Sequence, residues 1–148
     1  MFLLDTNVVS ELRKVQTGKA DPRVAEWTKS VDAADLFISA ISIYELEKGT
    51  LLAERRDPPQ GAVFRAWLND QVLPAFEARI LPVDAAVAQR GAQLSVPDPR
   101  PLHDGLIAAT ALVHGMTVVT RNVADFEPTG VRFLNPWEPQ DRSPQTRA

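Results

Sequence analysis

The chain has 148 residues, of which 45% are apolar and 24% are charged; this length and composition suit one folded domain with its own core. The net charge is −3 and there is no cysteine, which excludes disulfides, thiolate metal sites and a cysteine nucleophile. The charge provides no overall basic surface, so any attraction to a nucleic acid has to come from local arginines or from bound cations.

No segment of the chain has the pattern of a targeting or membrane sequence. The apolar start runs only from Met1 to Leu4 before Asp5, which is far shorter than the core of a signal peptide. No later apolar run approaches the roughly 20 residues of a membrane span. We therefore expect a cytoplasmic protein that does not enter a membrane.

Strand and helix patterns alternate along the chain. Short apolar or β-branched runs predict strands at residues 2–4, 36–39, 79–83, 116–120 and 131–134. Capping residues and helical periodicity predict helices at residues 7–14, 22–31, 42–56, 61–76, 85–94 and 103–114. Because strands separated by helices need crossover connections, we predict an α/β fold with a mostly parallel sheet of four to five strands, covered by helices on both faces. Residues 1–137 are predicted to form one domain, and residues 138–148 a polar, flexible tail.

Carboxylates recur where the predicted strands end. Asp5 follows the first strand, Glu45 the second and Asp125 the fourth, while Asp104 begins a later helix. Ligands of open α/β sheets bind outside the carboxyl ends of the strands. Acids gathered there repel one another unless a cation offsets their charge, and hard oxygen ligands suit Mg²⁺ or Mn²⁺. The pattern therefore predicts a metal site able to activate water and to neutralise charge on a phosphate.

Each of these acids also has a structural interpretation. Asp5 could be a helix N-cap, although Asp5-Thr6-Asn7 offers three successive capping residues where one helix needs one. Glu45 could close a capping box on Ser42. Asp104 could interact with a helix dipole, and Asp125 could stabilise a turn.

Other residues and motifs exclude competing chemistries. His103 and His114 are eleven positions apart, roughly 16 Å along a helix, which is too far for both to act on one phosphate. We interpret His114 as a helix-end residue before Gly115 and His103 as a helix-start or surface group. The phosphate-loop, nucleophile-elbow and dinucleotide-binding motifs are missing. Asp84 is interpreted as an N-cap outside the site, and helical spacing assigns three aromatic residues to the core: Trp27, Phe64 and Trp67.

Four sequence blocks occur in order along the chain: FLLDTNVVSE (2–11), IYELEKG (43–49), DGLIAATA (104–111) and TRNVADF (120–126). Together with NPW at 135–137, they resemble the PIN-domain family, and within it the VapC-like and FitB-like toxins of bacterial toxin–antitoxin systems. The resemblance implies a small nuclease that acts on structured RNA, often tRNA, at an Mg²⁺- or Mn²⁺-dependent site of three or four acids. It also implies a homodimer that a cognate VapB-like antitoxin neutralises in a larger complex.

The resemblance also implies roles for individual residues. By position, Asp5 and Asp104 correspond to direct metal ligands, and Glu45 to a third acid that contacts metal through water or orients the attacking water. Four further residues would support these acids: Thr6, Asn7, Thr120 and Asn122. Some relatives carry an aspartate directly after Thr-Arg, where this chain has Asn122, and Asp125 is the nearest carboxylate. The sequence therefore leaves two candidates for the fourth group of the site, Asn122 and Asp125.

We predict a metal-dependent endoribonuclease toxin in which an activated water attacks a phosphodiester. One alternative is a PIN-like domain that binds RNA or a protein partner without cutting. Another is a phosphoacceptor receiver domain, which needs an acidic pair after its first strand and a lysine after its last. Here the first strand is followed by Asp5-Thr6-Asn7, and the last lysine of the chain is Lys48. A phosphatase with an Asp nucleophile would need an Asp-x-Asp motif, which is missing.

Overall fold

A computed structural model describes residues 1–140 of the chain. Its strands are β1 (Phe2–Leu4), β2 (Leu36–Ser39), β3 (Ile80–Leu81), β4 (Thr117–Val119) and β5 (Phe133–Leu134). Its helices are α1 (Thr6–Leu12), α2 (Pro22–Ser30), α3 (Ala40–Arg56), α4 (Pro58–Trp67), α5 (Leu73–Ala75), α6 (Ala85–Leu94), α7 (Leu102–His114) and α8 (Val123–Phe126). A π-helical turn (Leu68–Val72) joins α4 to α5, and 3₁₀ turns occur at Ala33–Asp35, Glu77–Arg79 and Glu127–Thr129.

The strands of the described chain form one parallel sheet in the order β3-β2-β1-β4-β5. In the central register, Leu4 lies opposite Ile38 on one side and Val119 on the other. The predicted α/β class and parallel sheet are confirmed, with β3 and β5 shorter than predicted. No helix within residues 1–140 is long and apolar enough to cross a membrane. Most of the predicted tail, residues 141–148, lies outside the described residues.

Successive residues of the strands point to opposite faces of the sheet, so each face has its own core. Leu4 and Val119 belong to one cluster, with Trp27 from α2. Leu3 and Val118 belong to the other, with residues of α7 and α8. The core assignment of Trp27 is confirmed, and Trp67 packs partly buried against the first cluster. For Phe64 the assignment is wrong, because its half-buried ring lines a surface cavity.

Capping residues set the starts of the helices that carry the site. Asp21 and Asp84 each cap the helix that follows, as predicted, and Asp5 caps α1, as in its alternative interpretation. For α3 the predicted capping box is wrong, because the N-cap is Ser39, whose hydroxyl accepts a hydrogen bond from the Ile41 N–H at 3.0 Å. The side chain of Glu45 is therefore free of any capping role and points elsewhere.

Candidate active site

Asp5 is the most buried acid at the carboxyl edge of the sheet, with only 5% of its surface exposed. One carboxylate oxygen accepts from the Thr6 N–H at 2.8 Å. The other accepts from the Thr120 hydroxyl at 2.8 Å and from the Asn7 amide at 3.3 Å. The pKa of Asp5 is nevertheless raised to about 6, because burial and, to a smaller degree, the charges of Asp104 and Glu45 outweigh these hydrogen bonds. Asp5 is thus held rigidly in a place where its charge is unfavourable.

Thr6 links the end of β1 to the first turns of α3. Its hydroxyl donates to Glu45 Oε1 at 2.8 Å and lies 2.9 Å from the hydroxyl of Ser42, which is fully buried. These contacts join residues 36 and 39 positions apart in sequence. Glu45 is therefore oriented from a neighbouring strand and not by its own helix.

Asp104 and Asp125 complete the acidic edge. Asp104 lies half-buried in the first turn of α7. Burial raises the pKa of Asp104, and the nearby charges of Asp125 and Glu45 raise it further, whereas His103 opposes the shift. Asp125 is exposed in the first turn of α8. Electrostatic interactions link all four predicted acids, because Asp104 interacts with Asp5, Glu45 and Asp125, and Glu45 interacts with Asp5.

The predicted supporting residues form a chain of hydrogen bonds around Asp5. Thr120, which donates to Asp5, accepts from the Asn122 N–H at 2.9 Å. Asn7 accepts from the Arg121 N–H at 3.4 Å through its amide oxygen. Asn122 is exposed at the N-cap of α8, where its side chain makes no capping bond. Its contribution in the structure comes from its backbone, while Asp125 brings the fourth charge.

The donor set fits a hard divalent cation. All four acids offer carboxylate oxygens, the ligands that Mg²⁺ and Mn²⁺ prefer. Three of them carry charges that oppose one another, and a cation would relieve that repulsion. Within residues 1–140, no three acidic or histidine side chains converge closely enough to enclose an ion as they stand. Enclosing one therefore requires side-chain adjustment about the fixed carboxylate of Asp5.

Two side chains beside the acids were not predicted as part of the site. His103 places its Nδ1 atom 3.6 Å from Glu45 Oε2. Its ring also contacts Tyr44 edge to face, with 5.5 Å between ring centroids. The only sequence signal was adjacency, because Tyr44 precedes Glu45 and His103 precedes Asp104. Adjacency alone could not show that the two helix starts meet.

Glu45 lies between two surface cavities. One, of about 250 Å³, is lined by Thr6, Glu45, Phe64 and Trp67, with the Arg13 guanidinium 4.7 Å from the centre of the Phe64 ring. The other, of about 390 Å³, is lined by Pro101, Leu102, His103, Asp104 and Glu45. Glu45 is therefore accessible from both cavities, and Asp104 from the second of them.

A five-stranded parallel sheet with four acids near its carboxyl edge defines an α/β domain with an acidic site. The PIN domain model of protein families matches residues 2–127. The chain thus belongs to the PIN-domain family, among its VapC- and FitB-like toxins.

Its similarity to these relatives spans almost the whole chain. It is 38% identical to the VapC ribonuclease Y4jK of Sinorhizobium fredii over 144 residues, covering 94% of this chain and 99% of that protein. It is also 38% identical to Toxin FitB of Neisseria gonorrhoeae over 144 residues, covering 93% and 99%. Among solved structures, FitAB bound to an IR36 DNA fragment superposes with a TM-score of 0.84 at 34% identity, covering 97% of this chain and all of that one. The resemblance predicted from the sequence blocks is confirmed.

Proposed function

We propose that the protein is a metal-dependent endoribonuclease toxin that hydrolyses phosphodiester bonds of structured RNA such as tRNA. The observation that carries the proposal is the meeting of four acids from separate parts of the chain around Asp5, whose pKa burial raises to about 6. Of these four acids only Asp5 caps a helix, and capping does not account for the other three. The name of the relative VapC ribonuclease Y4jK supports the same activity.

Asp5, Glu45, Asp104 and Asp125 would hold Mg²⁺ or Mn²⁺ at this edge. A bound ion of this kind lowers the pKa of its water and neutralises charge that develops on a phosphate. Thr6 fixes the Glu45 carboxylate, which then stands ready to accept a proton from the attacking water. Thr120 and Asn7 fix Asp5 against the repulsion of its neighbours. The protein thus supplies a rigid anionic frame, and the catalytic positive charge comes from the ion.

Cleavage of a folded RNA under controlled metal conditions tests the proposal. The purified protein should cut tRNA in the presence of Mg²⁺ or Mn²⁺, lose that activity in excess chelator, and regain it when the ion is restored. Cleavage that persists in chelator would refute the metal mechanism. Binding of RNA without cleavage under every metal condition would favour the alternative of a non-cutting PIN-like module.

We also propose an antitoxin as partner, in a complex built on a homodimer of this chain. The similarity to Toxin FitB and to the FitAB assembly supports it. The acids of a chain with net charge −3 attract a positively charged side chain. Arginine suits this role because its guanidinium donates two parallel hydrogen bonds to a carboxylate. An arginine or lysine of the antitoxin would then compete with metal near Asp5, Glu45 and Asp104. A purified complex that keeps full nuclease activity would contradict this.

A further inference from the structure

An exposed aromatic side chain stands beside the acids without a structural reason for its exposure. Tyr44 is the only tyrosine of the chain, and 54% of its surface is exposed. It lies in the first turns of α3, directly before Glu45, and its ring meets that of His103 at an interplanar angle of 77°. A large ring left half open to solvent is informative in a way that an exposed charged residue is not.

The contacts of His103 place this ring next to the reacting region. One imidazole nitrogen lies 3.6 Å from Glu45 Oε2, and the same imidazole ring touches Tyr44. His103 and Leu102 also line the 390 Å³ cavity above Glu45 and Asp104, and Leu102 is 71% exposed. Glu45 and Asp104 therefore line this cavity together with His103, and the ring of Tyr44 packs against His103 beside it.

We propose that the ring of Tyr44 stacks on an unpaired base of the RNA, next to the phosphate that lies over Glu45 and Asp104. This inference rests on the proposed ribonuclease function. Unpaired bases are recognised mainly by stacking on aromatic side chains, and every base offers a π face for it. Tyr44 is thus a substrate-binding residue that tolerates different bases and requires the nucleotide beside the cut to be unstacked.

The electrostatics of the site favour this form of recognition. Without a bound cation the four acids repel the phosphates of the substrate, and a net charge of −3 adds no overall attraction for them. Stacking on a neutral ring needs no positive charge and is not weakened by nearby carboxylates. Tyr44 therefore supplies affinity for the RNA that does not depend on charge, directly beside the acids.

Kinetics with two replacements of Tyr44 test the proposal. The substrate is an RNA hairpin with an unpaired loop, cleaved in Mg²⁺. Tyr44→Ala should raise KM roughly tenfold or more, the loss typical of one stacked base, and change kcat little. Tyr44→Phe, which keeps the ring, should retain the wild-type KM. The matched control is Leu51→Ala, because Leu51 is 51% exposed on the same helix and lies two turns further from the acids.

A binding measurement separates stacking from a structural role of Tyr44. The same hairpin carries 2-aminopurine at each loop position in turn, in complex with Asp104→Asn protein that does not cut it. Fluorescence should be quenched at one loop position, and Tyr44→Ala in that background should restore it, whereas Tyr44→Phe should not. A ring that only supported α7 would give no position-specific quenching.

The possible failures are distinguishable. A wild-type protein that neither binds nor cuts RNA in Mg²⁺ would refute the proposed function and the stacking with it. Wild-type cleavage with equal KM and equal fluorescence in Tyr44→Ala would refute the stacking alone. Equal RNA binding combined with a weakened antitoxin complex in Tyr44→Ala would also refute it, because the ring would then belong to a protein interface.

Discussion

Asp5 shows how opposing local forces act on one carboxylate. It accepts three hydrogen bonds, from the Thr6 N–H, Thr120 and Asn7, and each of them favours the charged form. Its pKa is nevertheless raised to about 6, because burial and the neighbouring carboxylates outweigh those bonds. The fold therefore keeps Asp5 in an orientation that serves a cation better than it serves the stability of the metal-free protein.

This conflict makes the stability of the metal-free protein depend on pH. The pKa of Asp5 in the folded state, about 6, lies above its ordinary value of 3.8. The folded state therefore binds the proton more tightly, and stability falls as pH rises from about 4 to 6. Asp5→Asn should flatten that fall and stabilise the protein at pH 7 by on the order of 1–3 kcal/mol. Urea unfolding in chelator at pH 4 and pH 7 measures this, and parallel losses in both proteins would contradict it.

Replacement of Glu45 distinguishes its chemistry from any structural role. Glu45→Gln keeps an oxygen acceptor for the Thr6 hydroxyl but removes the charge. We expect RNA cleavage to fall more than about tenfold, with stability changed by less than about 0.5 kcal/mol. The matched control is Ser39→Ala, which removes the true cap of α3; it should cost about 1 kcal/mol of stability and leave cleavage by the folded protein intact. Full activity in Glu45→Gln would show that the charge of Glu45 takes no part in cleavage and that the residue has a structural role.

The fourth site group is tested by comparing two neighbours. The charge of Asp125 reaches Asp104, whereas Asn122 contributes its backbone N–H to Thr120. Asp125→Asn should therefore raise the Mg²⁺ concentration needed for half-maximal cleavage by roughly tenfold, a cost of about 1.4 kcal/mol. Asn122→Ala keeps the backbone bond and should change it less than threefold by the same conversion. The assignment would fail if a metal titration gave equal curves for Asp125→Asn and wild type.

At the scale of elements, the packing of α4 against α3 fixes the position of the helix that carries Glu45. Arg65 of α4 makes two 2.7 Å bonds to Glu47 and a 3.0 Å bond to Glu54, both on α3. These bonds lower the pKa of Glu47. Gly61 lets the two helices approach closely, because a Cβ atom there would lie 2.4 Å from the Glu54 Cα. The close packing fixes the axis of the helix from which Glu45 and Tyr44 project.

Replacing two glycines by alanine measures how much the close approach of α3 and α4 at Gly61 contributes to stability. Alanine normally stabilises a helix interior by about 1 kcal/mol relative to glycine. Gly49→Ala should show that gain, because nothing lies within 4 Å of the added Cβ. Gly61→Ala should instead destabilise by about 1–3 kcal/mol, because the Cβ would meet the backbone of α3. Thermal unfolding of both variants measures the difference, and a gain in Gly61→Ala would show that the helices separate without cost.

Local signals predicted most elements, and contacts between distant residues account for most of the errors. Asp21 and Asp84 cap helices as their local sequences indicate. For α3, the sequence predicted a start at Ser42, but Ser39 caps the helix, and Glu45 instead accepts a hydrogen bond from Thr6, 39 positions away. The meeting of Tyr44 with His103 likewise depends on how α3 and α7 are arranged across the sheet, which no local pattern contains.

At the scale of the whole molecule, two arginines that stack on aromatic rings lie near the acids. Arg13 stacks on Phe64 beside the cavity that Glu45 lines. Arg121 stacks on Trp137, with 5.2 Å from its guanidinium to the ring centre, while its N–H binds Asn7 next to Asp5. Local arginines are what a nucleic-acid site needs in a chain of net charge −3. Both are held by aromatic rings close to residues of the site, which places positive charge beside the acids.

Binding of a cation at the acids should stabilise the whole domain, because an ion that binds only the folded state shifts the unfolding equilibrium. At a Mg²⁺ concentration about 100 times its Kd, the gain is about 2.7 kcal/mol. For a domain of this size that gain raises Tm by roughly 5–10 °C. We expect this rise in wild type at pH 7, and little or none in the double variant Asp5→Asn, Asp104→Asn. Scanning calorimetry with Na⁺ at matched ionic strength separates specific binding from screening. This measurement does not depend on RNA cleavage. Equal rises in Tm in both proteins would show that the ion binds elsewhere than at these acids, even if the wild type cleaves RNA.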